Sequence, residues 1–285
     1  MFVAGLLLLS ILANLGESST VTQPPLRVGA FNVRAFGRAK MGKEDIANIL
    51  AKIVTRYDVM LLQEIRDATG TAINQLLAMV QAINPNYELV ISDRLGRSRN
   101  YKEQYAYFYR TDRVVIEDTF QYNDDGNDVF EREPFCALVE SLSPGNENFA
   151  ACGIHIKPTD VVQELKELPQ VYGNVTKEFA TENVMFLGDF NAECSYLDDT
   201  ELAESPIYKD PNYTWVISSA VDTTTSCATN CAYDRIVITG ELLTEALIAK
   251  SGIAYKFDRD YNMETDEAYQ VSDHYPVEVC LRLPW

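Results

Sequence analysis

The stretch DVMLLQEIRD, Asp58–Asp67, is an apolar run that stops abruptly at Gln63, Glu64 and Arg66. Asp58–Gln63 reads as a buried strand. A carboxylate emerging from such a strand is costly unless it is paired or bound to metal. Glu64 is therefore either half of a rim pair with Arg66 or a ligand. The same form recurs along the chain. Asn32, His155 and Asp189 also lie at or just beyond the end of an apolar run, whereas Glu103, Asp234 and His274 come just before one. If these seven residues share one rim, strands of the first group run toward it and strands of the second run away. That requires mixed or antiparallel sheets, not a doubly wound parallel one.

The remaining pattern alternates strand-like and helix-like runs, with no repeat, low-complexity tract or linker. Leu26–Val33 reads as a strand. Ile46, Ile49, Leu50, Ile53 and Val54 keep the spacing of a helix with one buried face, and Ile73, Leu76, Leu77 and Val80 mark a second. Further strands are expected at Tyr87–Ile91, Tyr105–Tyr109, Cys136–Leu142, Phe149–Ile156, Val184–Gly188, Arg235–Thr239 and Tyr275–Leu283. A third helix begins near Asp160 and should be bent or ended by Pro169. Many strands with few helices indicate one α/β or α+β domain whose sheets carry helices on their outer faces.

The chain has 285 residues, of which the first 20 read as a secretory signal peptide cleaved between about Gly16 and Thr20. Residues 21–285 then form a single domain, soluble and secreted, with no membrane partner. The six cysteines, Cys136, Cys152, Cys194, Cys227, Cys231 and Cys280, permit up to three bridges in a secreted chain, and none has the CxxC spacing of a zinc site. Asn174 and Asn212 head sequons eligible for glycans. The net charge of −18 argues against polyanion binding unless bound cations mediate it, because carboxylate clusters are what hard divalent ions require.

Several motifs carry chemistry. In MFLGDFNAECS, Met185–Ser195, a buried strand stops at Gly188, and Asp189 and Asn191 follow in a turn. Those side chains either hold a cation or phosphate oxygen or cap the loop as an Asx-turn. NCAYDRIVI and SDHYPVEV share one form: an acid, an aromatic neighbour, then an apolar strand. The chain has only two histidines, His155 and His274. Two histidines and several acids at strand ends suit attack by water on a phosphodiester, which needs a base, an acid and a cation to offset phosphate charge. No Gly-x-Ser-x-Gly elbow, P-loop or dinucleotide fingerprint competes.

From LRVGAFNVRAFG through YDVMLLQEIRD, YKEQYAYFYR, NDVFEREP, GDFNAECSY and CAYDRIVI to SDHYPVEV, the chain resembles the deoxyribonuclease I family, within the wider endonuclease/exonuclease/phosphatase superfamily. The resemblance implies a four-layer sandwich of two packed mixed β-sheets flanked by helices. It implies a secreted, divalent-dependent endonuclease that cuts DNA, mainly double-stranded, with low sequence specificity and leaves 5′-phosphate ends. His155 would pair with Glu103 and His274 with Asp234 as the acid–base groups. Glu64 would be the main ligand of catalytic Mg²⁺ (or Mn²⁺), helped by Asp273, Asp189 and Asn32. Asn191 and Arg132 would contact the scissile phosphate, and Arg34, Arg66 and Tyr101 the DNA backbone or minor groove, reading width more than sequence. With Arg97, Arg99 and Lys102 they would form a basic rim on an acidic body. Structural Ca²⁺ would bind at Asp125, Asp128 and the Phe130 carbonyl, and again at Asp222, in a loop one residue longer than usual.

Cys194 and Cys231 match the family's main disulfide, and Cys136 and Cys152 lie on neighbouring expected strands where they could pair. Leu89, Ile91 and Phe135 only loosely match the apolar patch by which some relatives bind actin, so a monomer without actin is expected. A phospholipid or inositol-phosphate phosphodiesterase of the same fold is the alternative, against which Arg66, Tyr101 and Arg132 speak.

Overall fold

On the first strand, Leu26, Val28 and Ala30 point to one side and Phe31 and Val33 to the other, and all five are fully buried. Two-sided burial is what a continuous apolar run demands, and it places this strand in the middle layers of a stack. The computed structural model describes residues 23–283 apart from 125, 144 and 146, so the expected signal peptide lies outside the described residues. The strands, in order, are β1 (Leu26–Phe36), β2 (Val59–Ile65), β3 (Tyr87–Ile91), β4 (Gln104–Arg110), β5 (Val114–Gln121) and β6 (Phe135–Ser141). They continue with β7 (Asn148–His155), β8 (Val184–Asp189), β9 (Thr214–Trp215), β10 (Asp234–Thr239), β11 (Ile253–Ala254) and β12 (Val277–Leu281).

Two mixed sheets result, ordered β11-β12-β1-β2-β4-β3 and β5-β6-β7-β8-β10-β9. Each contains one parallel pair, β1/β2 and β7/β8, and its other pairings are antiparallel. Leu61, Tyr107, Ala137, Leu187, Ile236 and Val279 fill the space between the sheets. Helices Glu44–Val54 and Thr71–Ile83 bury Ile46, Leu50, Ile73 and Leu76 on one outer face. Helix Val161–Phe179 buries Leu165, Leu168, Val171 and Val175 on the other. This is the four-layer sandwich with mixed sheets. Among the described residues no helix is long and apolar enough to cross a membrane.

The sequence expectation did not include strands β5, β9 and β11 or the short helices, of which Thr265–Val271 is the longest. Of the two outcomes expected at Pro169, a bend or an end, the end does not occur: helix Val161–Phe179 runs through it. An interior proline costs about 3 kcal/mol through its lost hydrogen bond and the clash of its ring, and burying the apolar face on both sides of it, at about 1.5–3 kcal/mol per large side chain, exceeds that. Strand β5 is invisible to periodicity because Glu117, Asp118 and Thr119 interrupt it at a register shift between Ile116 and Asp118. Charge and irregularity are how a sheet edge avoids pairing with another chain.

Cys136 and Cys152 stand opposite each other on β6 and β7 and are bonded, and a second disulfide joins Cys194 to Cys231. Cys227 and Cys280 are free thiols. Phe135 is buried between the sheets, so of the loosely matched apolar patch only Ile91 and half-buried Leu89 reach the surface.

A polar bridge also crosses between the sheets. Gln63 on β2 donates from Nε2 to Ile154 O at 2.6 Å, and its Oε1 accepts from Asp189 N–H at 3.0 Å. The close approach requires Gly188, whose φ is +132° and whose added Cβ would stand 2.3 Å from Ile154 O and 2.8 Å from the Gln63 amide. Gly188→Ala should therefore destabilise the fold by about 3 kcal/mol or more, measured by denaturant unfolding; a change within about 0.5 kcal/mol would remove this account.

Glu164 on helix Val161–Phe179 is fully buried, and burial pushes its carboxyl up to about 8 against the opposing pull of the Glu131 N–H and Arg132. A carboxyl raised on folding contributes stability that is complete below its ordinary value of 4.5 and is lost as pH rises through about 8. Glu164→Gln should thus gain on the wild type between pH 5 and pH 9 by more than about 1 kcal/mol. Parallel thermal melts at the two pH values check this, and a constant difference would count against it.

Candidate active site

The parallel pairs β1/β2 and β7/β8 end at one rim, and β4, β10 and β12 start from it. Asn32, Glu64, His155 and Asp189 arrive on the first four strands, and Glu103, Asp234 and His274 stand at or just before the starts of the other three. All seven expected residues thus meet in one place. Glu64 is turned out of the core by a bulge: the register slips between Asn32 and Phe36 on β1 and between Leu62 and Ile65 on β2. Arg34, Ala35 and Glu64 take left-handed φ of 47°, 51° and 60°, at about 1–2 kcal/mol each. Such strain persists only where the surroundings enforce it.

Both histidine pairs span the sandwich. His155 from the second sheet has Nδ1 at 3.2 Å from Oε2 of Glu103 on the first. His274 from the first sheet has Nδ1 at 2.7 Å from Oδ2 of Asp234 on the second. Asp234 hydrogen-bonds Nδ1 of its histidine, whereas Glu103 Oε2 and His155 Nδ1 are in ion-pair range without hydrogen-bond geometry; in both pairs Nε2 faces inward. The two Nε2 atoms stand 3.6 and 3.7 Å from the same oxygen, Asp189 Oδ2. Burial opposes charge on Glu103, but His155, Arg132 and Arg66 outweigh it and hold its pKa at about 2. Burial likewise opposes charge on His274, yet Asp234, Asp189 and Asp273 outweigh it and raise its pKa to about 10.

Around this centre, Asn32 Nδ2 bridges Glu64 Oε1 at 3.2 Å and Asp189 Oδ2 at 3.1 Å. Its Oδ1, the atom a metal would use, accepts from Arg34 N–H at 2.9 Å. Glu64 Oε2 accepts from Ala35 N–H and from Arg66, so the rim pair exists as well. The Asx-turn exists too: Asp189 Oδ1 accepts from Asn191 N–H at 3.0 Å while Oδ2 faces the site. Asp273 lies 3.8 Å from His274 Nε2 and 3.5 Å from Arg34. Arg132 is buried, with Nε on His155 O and Nη1 at 3.6 Å from Glu103, and its Nη2 has no hydrogen-bond partner among the described residues. That orphaned donor suits an anionic ligand.

In chemistry, though not in convergence, the donor set suits a hard divalent cation: among the described residues the acidic and histidine ligand atoms that come together are those of Asp189, Asp234 and His274, within 4.8 Å of one another. Glu64, Asp189, Asp273 and Asn32 offer oxygens, the chemistry Mg²⁺ and Mn²⁺ take, so Asp189 belongs to both sets. Asp234, however, already spends Oδ2 on His274.

Along the rim, Arg66 stacks over Tyr101 at 4.6 Å and Arg34 over Tyr269 at 4.1 Å. The basic rim is smaller than its count suggested. Arg97 pairs with Asp128, Glu131 and Asp160, and Lys102 donates to Gly96 O at 3.0 Å; Arg99 is exposed. Asp125 lies outside the described residues. Asp128 is turned toward solvent and pairs with Arg97, while Asp124, not singled out by sequence, closes the loop on the N–H groups of Val129 and buried Phe130 at 2.6 and 3.2 Å.

Three supporting residues escaped the sequence reading. Lys40 Nζ joins Val33 O to Val271 O at 2.5 Å each. Ser272 Oγ donates to Asn32 O at 2.6 Å and accepts from His274 N–H at 3.1 Å. Gln63 was seen as a rim residue, not as the bridge between sheets. A polar side chain inside an apolar run was its one visible signal; Lys40 and Ser272 look like surface residues.

Comparison with known proteins follows this geometry. The sequence profile described as endonuclease/exonuclease/phosphatase family matches residues 29–274. Deoxyribonuclease-1 of Equus caballus is 41% identical over 263 residues, covering 90% of this chain and 92% of that protein. Deoxyribonuclease-1 of Bos taurus is 39% identical over 261 residues with the same coverage. Among solved structures, an endonuclease/exonuclease/phosphatase family protein from Leptotrichia buccalis superposes with a TM-score of 0.66 at 16% identity, covering 90% of this chain and all of that one. The human Nocturnin catalytic domain with bound sulfate gives 0.61 at 16% identity, covering 90% and 94%. At that identity the structures speak for the fold alone, whereas the profile and the near-full-length relatives speak for descent: the chain belongs to the endonuclease/exonuclease/phosphatase family, among its deoxyribonuclease I members.

Proposed function

We propose that this chain is a secreted, divalent-cation-dependent endonuclease that hydrolyses DNA phosphodiester bonds with low sequence specificity. The observation that carries the reading is the pair of cross-sheet dyads whose Nε2 atoms converge on Asp189 Oδ2, in a chain about 40% identical to proteins named Deoxyribonuclease-1. Two disulfides favour an oxidising compartment, which agrees with an N-terminal signal peptide and cleavage near residues 16–20.

In this mechanism the scissile phosphate sits against the two imidazoles. One takes a proton from the attacking water, and the other gives one to the departing O3′, leaving a 5′-phosphate. Glu103 and Asp234 fix the tautomer of their histidines and stabilise the imidazolium. Arg132 Nη2 and Asn191 bind the phosphate. Glu64, with Asp273, Asp189 and Asn32, would hold Mg²⁺ or Mn²⁺, which offsets phosphate charge when bound. Arg34, Arg66 and Tyr101 line the path of a duplex, mainly through its backbone. The stacked Arg66 and Tyr101 favour a nucleic acid over a lipid or inositol phosphate.

Plasmid nicking tests the scheme directly. His155→Ala and His274→Ala should each lose about 10²–10⁴-fold, and excess chelator should abolish wild-type activity. A histidine variant within about threefold of wild type would defeat the dyad mechanism, since one acid–base group contributes far more than that. Arg66→Ala should weaken cleavage of all sequences alike and shallow the salt dependence by about one phosphate contact; an altered sequence preference at unchanged salt slope would speak against a backbone role. On secretion, Asn212, exposed in a turn, should carry a glycan before Asn174, which is half-buried in a helix with its amide on Gln170 O. Glycopeptide mapping decides, and occupancy of Asn174 alone would contradict it.

A further inference from the structure

The loop from Asp222 to Cys231 was expected to hold a calcium ion, and its oxygens do not fit one. Asp222 Oδ1 already accepts from Thr224 N–H at 3.0 Å and Thr224 Oγ1 at 2.9 Å. Thr224 Oγ1 is tied in turn to Thr229 Oγ1 at 2.8 Å. The other face of Asp222 is occupied by a side chain: Lys256 Nζ donates to the Asp222 carbonyl at 2.8 Å and stands 3.4 Å from Oδ2. Ca²⁺ takes six to eight oxygens at about 2.3–2.6 Å, whereas this loop offers one carboxylate that an ammonium shares. The ammonium is also held from behind, 3.9 Å from the centre of the Tyr275 ring. Its backbone is fixed between two buried aromatics, Tyr255 and Phe257. A divalent ion at Asp222 would have to displace a positive charge built into the fold.

The loop supports both halves of the site. Thr223 Oγ1 accepts from Asp234 N–H at 3.2 Å, and Thr223 O accepts from Tyr275 N–H at 2.7 Å. Thr225 donates from N–H to Asp273 O at 2.9 Å and from Oγ1 to Ser272 O at 2.8 Å. Whatever cation fixes Asp222 therefore fixes the strand start of Asp234 against that of His274.

We infer that the Lys256 ammonium stands in for calcium in the Asp222–Cys231 loop, as a tethered cation that no chelator can remove. The inference is separate from the proposed reaction, because it is read from loop protection rather than from cleavage. Amide hydrogen exchange of residues 221–231, referenced to β10 in the same sample, is the test, run with Ca²⁺ and with a calcium chelator. In the wild type the referenced loop exchange should be the same in both. In Lys256→Met it should be about tenfold faster in chelator, with part of the protection restored by Ca²⁺ through the freed Asp222 oxygens. A wild-type loop selectively loosened by chelator would overturn the inference, whether or not the variant folds. So would a folded Lys256→Met whose loop stays as protected as the wild type in chelator.

Discussion

Where the two sheets meet at the rim, the Gln63 amide donates to Ile154 O and accepts from Asp189 N–H, and the distance between the halves of the site follows from this bridge. The contact has no solvent to fall back on, since Gln63 is fully buried, so both of its hydrogen bonds must form. Gly188 exists to let the amide in. With β2 held to β7 and β8 this way, Glu64 and His155, one residue beyond Gln63 and Ile154, and Asp189 itself come to the same rim from opposite sheets. The dyads, the Asn32 bridge and Arg132 are arranged around them.

The electrostatics of the rim follow from crowding acids into a buried space. Burying unpaired carboxylates is costly, and each one here is compensated by something specific: Glu103 by His155, Arg132 and Arg66, Asp234 by His274, Asp189 by Asn32 and the Asn191 N–H. Glu64 is met by Asn32, the Ala35 N–H and Arg66, and Asp273 by Arg34, and with Asp189 they offer the oxygens that a hard cation takes. The chain carries −18 overall, and in the proposed function it would meet a polyanion through Arg34, Arg66 and Arg132 at this rim. Arg97 and Lys102 are spent on the protein itself.

The order of strands and the rim residues were legible because each polar group ends or begins an apolar run, a one-dimensional signal. The mixed sheets were readable for the same reason: groups that end runs and groups that begin them can share a rim only if strands go both ways. What stayed hidden depends on contacts distant in sequence. Lys40 meets Val271 and Ser272 meets Asn32 across 231 and 240 residues, and nothing local marks either. Strand β5 hid because an edge strand needs no apolar alternation. Whether the helix would pass Pro169 was left open by sequence, and burial of its apolar face outweighs the local penalty. Lys256, 34 residues from Asp222, was a lysine between two aromatics until the fold brought it to the loop.

Each histidine takes its carboxylate from the opposite sheet, so neither sheet alone owns a complete dyad. In the proposed mechanism, a chain caught with one sheet formed, or with the sheets slipped by one residue, would have all four groups and no complete acid–base pair. On that reading the topology itself would withhold activity until both sheets are packed. For a nuclease made inside a cell rich in nucleic acid, the interval before the sandwich closes would then be an interval without cleavage.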